Sequence, residues 1–316
     1  MLRRCILLTL TLGLAACQTF FPPHTPTASP EPSWTASLPA TPSVTPTLTE
    51  TPLPSATPEP SITPTATVTP LPVTLGLDPA DWHNWPVLPI VTERARLIYL
   101  IGQGLGNDPH AFSVFGDCQS EPEIFLGPIE TDAALVASLT PELQETVTWF
   151  AGSFDRDAPT LRGGTTTGAL LWTQWHQEKY TCTQFETPLQ CELRIHKPSF
   201  VIIHVGTHYE NREEDYMRMI LNQLIEAGVV PILATKADDR ERDERVNSSY
   251  ARLALEYEIP FWNFWAAVGG LPNRGLYTRS DVSLQGDLYL TEEAQAIHRL
   301  TALQALDAVW RIVSAP

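Results

Sequence analysis

Residues 200–234 read FVIIHVGTHYENREEDYMRMILNQLIEAGVVPILA. The apolar runs 200–205 and 229–234 are too short for helices and read as strands buried on both faces. Between them Met217, Ile220, Leu221 and Leu224 fall on one helical face, acids fill the first turn, and Gly228 supplies a stop. Strand, helix and strand in that order build a parallel sheet with helices packed on its faces. Outward from this unit, the apolar runs 97–101, 112–115 and 260–264 are predicted to add strands. A closing helix is predicted from Thr291, an N-cap followed by Glu292 and Glu293, through Ile297, Leu300, Leu303, Leu306 and Trp310. The expected class is α/β, a three-layer α/β/α domain with a mainly parallel sheet over residues 76–316.

The chain ahead of residue 76 is a different polymer. Residues 1–16, MLRRCILLTLTLGLAA, place Arg3 and Arg4 before an apolar run too short to span a bilayer, the pattern of a signal peptide. Leu14-Ala15-Ala16-Cys17 resembles the lipobox of bacterial lipoproteins, which implies cleavage before Cys17 and lipidation of that cysteine. Anchoring by more than one acyl chain is stable, at ~0.8 kcal/mol per buried methylene. From residue 18 to 75 Thr-Pro, Ser-Pro and Glu-Pro pairs recur with few large apolar residues, so this stretch is expected to be a disordered stalk. In a polyproline II conformation, at ~3.1 Å per residue, it reaches on the order of 100 Å or more. The expected location is therefore extracytoplasmic, on the cell envelope, with the membrane as partner through the lipid.

The whole chain carries 20 basic and 36 acidic residues, a net charge of −16. Removal of Arg3 and Arg4 with the signal leaves 18 against 36, or −18. Such a surface repels phosphate backbones, which excludes nucleic acid as a partner. Of the five cysteines, Cys5 leaves with the signal and Cys17 takes the lipid, leaving Cys118, Cys182 and Cys191. Cys182 and Cys191 flank a short loop containing Pro188 and are the expected disulfide, with Cys118 the free thiol.

Ligands bind at the carboxyl ends of parallel strands, so the residues after each run matter most. Gly116-Asp117-Cys118-Gln119-Ser120 follows the run 112–115, Gly163-Gly164-Thr165-Thr166 follows Leu161-Arg162, and Gly206-Thr207-His208-Tyr209 follows 200–205. In order, spacing and strand-end placement the three blocks resemble the SGNH/GDSL hydrolases, a family of extracytoplasmic and lipolytic esterases, over roughly residues 95–313. The resemblance implies an SGNH/flavodoxin-like fold. It puts Cys118 at the position of the family's nucleophilic serine, Gly164 or Gly163 at the backbone donor to the oxyanion, and His208 at the side-chain donor. His208 is also the imidazole expected to reach Cys118 as base, with Asp117 or Asp238 nearby. The family's closing Asp-x-x-His departs here. One register sets Tyr289 at the histidine and Gly286 at the aspartate; the other sets Ser283 and Ser280 there. Neither supplies an imidazole, a loss worth typically 10²–10⁴-fold in proton transfer.

Two functions stand at this stage, and enzyme status is open between them. Gly-Asp-Cys and Gly-Gly-Thr favour an ester hydrolase, acting on acylated surface or environmental glycans. The missing base favours an inactive module that binds a glycan or protein in the same cleft. Trp262 and Trp265, at a strand end, and Tyr289 are the candidate ligand contacts, whereas Trp172 and Trp175 at i, i+3 are expected to pack in the core. Asp117, His208, Asp238 and Asp239 follow strands, but without paired His or Cys spacing no metal or other cofactor is expected.

Overall fold

A computed structural model describes residues 76–175, 180–278 and 286–315. The signal segment, Cys17, the Pro/Thr/Ser stretch and the register that uses Ser280 and Ser283 lie outside these residues. The sheet has four strands: β1 (Asp108–Gly116), β2 (Pro198–His204), β3 (Val230–Ala234) and β4 (Phe261–Trp262). All pairs are parallel and the spatial order is sequential, β1-β2-β3-β4. The register aligns Gly116 with His204, so the first and third sequence blocks leave the sheet side by side.

Ten helices accompany these strands among the described residues: α1 (Glu93–Leu105), α2 (Pro128–Thr131), α3 (Ala133–Ser138), α4 (Pro141–Trp149), α5 (Thr167–Leu170), α6 (Pro188–His196), α7 (Glu213–Glu226), α8 (Arg245–Tyr257), α9 (Phe264–Ala267) and α10 (Glu292–Val313). Sequential strand order with right-handed crossovers puts the connecting helices α6, α7 and α8 on one face. The other face is covered by the first and last long helices, α1 and α10, which pack on each other. β2 and β3 are buried at every position, as a sheet covered on both sides requires.

The run 97–101, expected as a strand, lies in α1. Thr92 caps its start through Ala95, and Gly106, left-handed at φ +86°, ends it. Ala95, Ile98, Tyr99 and Gly102 are buried at helical spacing, while Leu97, Leu100 and Ile101 face out. A run apolar on all sides hid a one-sided helix. Likewise the run 260–264 holds a two-residue strand, after which Phe264 already opens α9. Trp172, expected in the core, is 53 % exposed, because α5 ends at Leu170 and the chain beyond it runs in turns. Cys182 and Cys191 form the disulfide, with Cys191 on α6, and Cys118 is free.

Candidate active site

β1 delivers its last residues into a tight turn. Gly116 is required there, since a Cβ on it would lie 2.4 Å from Ser120 Cβ. The Asp117 carboxylate accepts from the Gln119 amide at 3.1 Å and the Asp117 carbonyl from the Ser120 amide at 2.9 Å. The second block runs alongside: the Arg162 amide donates to the Gly116 carbonyl, and Gly116 donates to Thr160. A Cβ placed on Gly163 would stand 3.7 Å from Cys118 Cβ, whereas one on Gly164, at φ +82°, would meet open space. Gly163 is therefore the glycine beside the thiol.

Among the described residues, the groups that act on the Cys118 thiol are two carboxylates and a phenol. Burial pushes the thiol up to about 12, the Asp117 and Glu121 carboxylates add to the rise, and a hydrogen bond with Tyr289 opposes it. The Glu121 carboxylate also accepts the Gly163 amide at 3.0 Å, so a negative charge holds the donor that acyl transfer would aim at an oxyanion. Tyr289 reaches the thiol because the segment before α10 is pinned: Gln119 Nε2 donates to the Leu288 carbonyl at 2.5 Å, and the Tyr277 amide donates to Tyr289. The phenol's own pKa is raised, chiefly by the neighbouring Cys118. In place of a nucleophile and an imidazole, the turn and the helix start present a thiol and a phenol.

His208 sits elsewhere. Its ring accepts from Arg240 Nη1 at 3.5 Å, and burial together with that guanidinium lowers its pKa. Among the described residues no hydrogen bond joins His208 to Cys118. The residue before it does the connecting: Thr207 donates to Asp238 at 2.8 Å and to Asp117. Asp117 is buried with one carboxylate oxygen unpartnered, and burial, assisted by Asp238, raises its pKa to about 7. Behind Asp238, the buried Lys236 ammonium donates to its carboxylate at 2.7 Å and to Glu241 at 2.5 Å.

The tryptophans expected as ligand platforms are covered. Trp262 is fully buried, stacked near Phe125 and His298, so no ligand meets its face. Trp265 packs edge-on to Trp82 and His83 and lies under the Arg274 guanidinium.

Sequence reasoning missed three residues beneath the site. Ser120 Oγ lies 2.8 Å from His204 Nδ1, and both residues are buried. The His298 ring is 4.5 Å from that of His204, in a box completed by Phe125, Trp262 and Phe264. His204 Nε2 and both His298 nitrogens have no hydrogen-bond partner among the described residues. Burial pushes His204 down to about 4 and His298 well below the usual imidazole value. His298 packs in the core, fully buried. Its place was readable from spacing: Ala294, Ala302, Leu306, Val309 and Val313 are buried on the same helix face.

No known family profile matches the chain, and no curated protein matches it. Several solved structures are similar. The psychrotrophic esterase EstA from Pseudoalteromonas sp. is 14 % identical, over 63 % of this chain and 97 % of that one, with a TM-score of 0.43. A GDSL-like lipase from Bacteroides thetaiotaomicron is 15 % identical over 72 % and 98 %, with a TM-score of 0.37. An acetyl xylan esterase is 11 % identical over 61 % and 97 %, with a TM-score of 0.36. The chain is similar to these hydrolases, while its α/β architecture stands on its own strand register.

Proposed function

We propose that residues 76–316 form an ester-hydrolase-like domain of the SGNH/GDSL type that no longer hydrolyses esters and binds a ligand at the old catalytic corner, carried outside the cell by the stalk and a lipid on Cys17. One observation carries this reading: the Cys118 thiol lies between two carboxylates and a phenol, with a pKa of about 12. A thiol becomes a nucleophile through a base or a positive neighbour, and an oxyanion forms where donors are free. Here the charges are negative and Glu121 already holds the Gly163 amide. Carboxylates accept hydrogen bonds from hydroxyls and repel anions, which supports a neutral glycan as the ligand class.

Hydrolysis of a short-chain nitrophenyl ester tests the first half. Background rates for both the protein and Cys118→Ala support the reading, and hydrolysis above background by the protein overturns it. A glycan array tests the second half. Hits that disappear in Glu121→Ala support binding at this corner, and a blank array removes the glycan assignment.

A further inference from the structure

α3 is the odd helix of the domain. Its sequence, AALVAS, is apolar in five of six positions, yet it buries no residue. It lies with α2 and α4 across the first turns of α10, and between them is a cavity of about 370 Å³. Two other cavities in the domain hold about 20 and 10 Å³.

The wall is aliphatic, with Ile129, Leu135, Leu139, Leu143, Leu300 and Leu303 as its large side chains and no aromatic ring among the described residues. That composition disfavours sugars and planar ligands, which use rings for stacking, and suits a flexible alkyl chain. The volume takes on the order of ten methylenes, each counted at roughly the share of one water molecule in the liquid. One cation lines the space. Arg299 Nε and Nη2 donate to the carbonyls of Phe125 and Ile124, and Nη1 has no partner among the described residues. Asp132, the cap of α3, is the carboxylate that acts on this guanidinium, and burial still lowers its pKa. A half-buried guanidinium on the wall of an apolar slot suits a carboxylate bound to a hydrocarbon.

We propose that this cavity binds a medium-chain fatty acid, its chain between α3 and α10 and its carboxylate on Arg299. The site is separate from the Cys118 corner and does not depend on whether that corner is active. Calorimetric titration of the whole chain with decanoate, below its micellar range, tests it. Saturable binding at one site per chain, weakened at least tenfold by Ala296→Trp with thermal unfolding unchanged, supports the proposal. Ala296 is an exposed wall position on α10, so this variant fills the slot without disturbing the core. No saturable binding, or the same affinity in Ala296→Trp, overturns it. Equal affinity for decanol overturns the role of Arg299, and binding to phospholipid vesicles without binding to decanoate overturns the cavity in favour of surface adsorption.

Discussion

Two polar groups within a few residues of one turn have opposite fates. Cys118, only 5 % exposed, stands beside a phenol and two carboxylates, with no imidazole next to it among the described residues. Ser120 lies within hydrogen-bonding distance of His204, with a second imidazole behind it, but all three are sealed in the core. Among the described residues the thiol has no imidazole beside it, and the imidazoles near Ser120 lack access to solvent. A hydroxyl–imidazole pair is therefore not evidence of catalysis by itself; exposure of the pair decides what it does.

The comparison breaks most sharply at His298. Because neither of its ring nitrogens has a partner among the described residues, His298→Phe should leave stability within ~1 kcal/mol of the parent or raise it. His298→Asp puts an unpaired charge in the same box and should cost ~3–5 kcal/mol. Urea unfolding of the two variants reads both effects, and equal losses would show that the imidazole makes a bond of its own.

Acid should separate the two places next. Unfolded imidazoles take up protons near 6.5, whereas His204 holds out to about 4 and burial likewise holds His298 well below the usual value. Their stability contribution is present above pH 6.5 and is lost as the pH falls toward 4. Asp117, raised to about 7, has the opposite sign: it keeps a proton when folded, and its contribution is lost as the pH rises from 3.8 to about 7. Subtracting the His298→Phe variant isolates one imidazole. The parent should lose stability relative to that variant as the pH falls below 6.5. A pH-independent difference would mean that the His298 imidazole titrates alike in the folded and unfolded chain.

Around the thiol the effects are smaller. Glu121→Gln removes a charge that raises the Cys118 pKa while leaving an acceptor for the Gly163 amide. Alkylation by iodoacetamide at pH 9 should accelerate several-fold, toward tenfold for each unit the thiol pKa falls. An unchanged rate would put the rise down to burial and Asp117. Tyr289→His should change stability by less than ~0.5 kcal/mol, because the ring is only half-buried.

The sheet was legible where apolar runs were bounded by turn residues, as at 200–205 and 229–234, and illegible at 97–101, where a helix carries apolar residues on its exposed face as well. The blocks at Gly116 and Gly163 could be read because close approach demands glycine there. His208 was misleading, since the chain beyond Thr207 turns toward Arg240 rather than across the sheet. His204 was hidden inside FVIIHV, where one polar residue in a buried strand was absorbed into the run. Trp262 was placed at the correct strand end but could not be assigned a depth, because a side chain's depth depends on what α10 brings over it.

The segment that presents Tyr289 is held through its main-chain carbonyls, by the Gln119 side-chain amide at Leu288 and the Tyr277 backbone amide at Tyr289, besides the ring's own bond with Cys118. What stands at residue 289 is thus free to vary without unseating the helix that follows. In the genetic code tyrosine and histidine codons differ by one base, and so do those of cysteine and serine. This corner is two point substitutions from a serine facing an imidazole, so a lineage carrying this scaffold could gain or shed a hydrolytic pair with little risk to the fold.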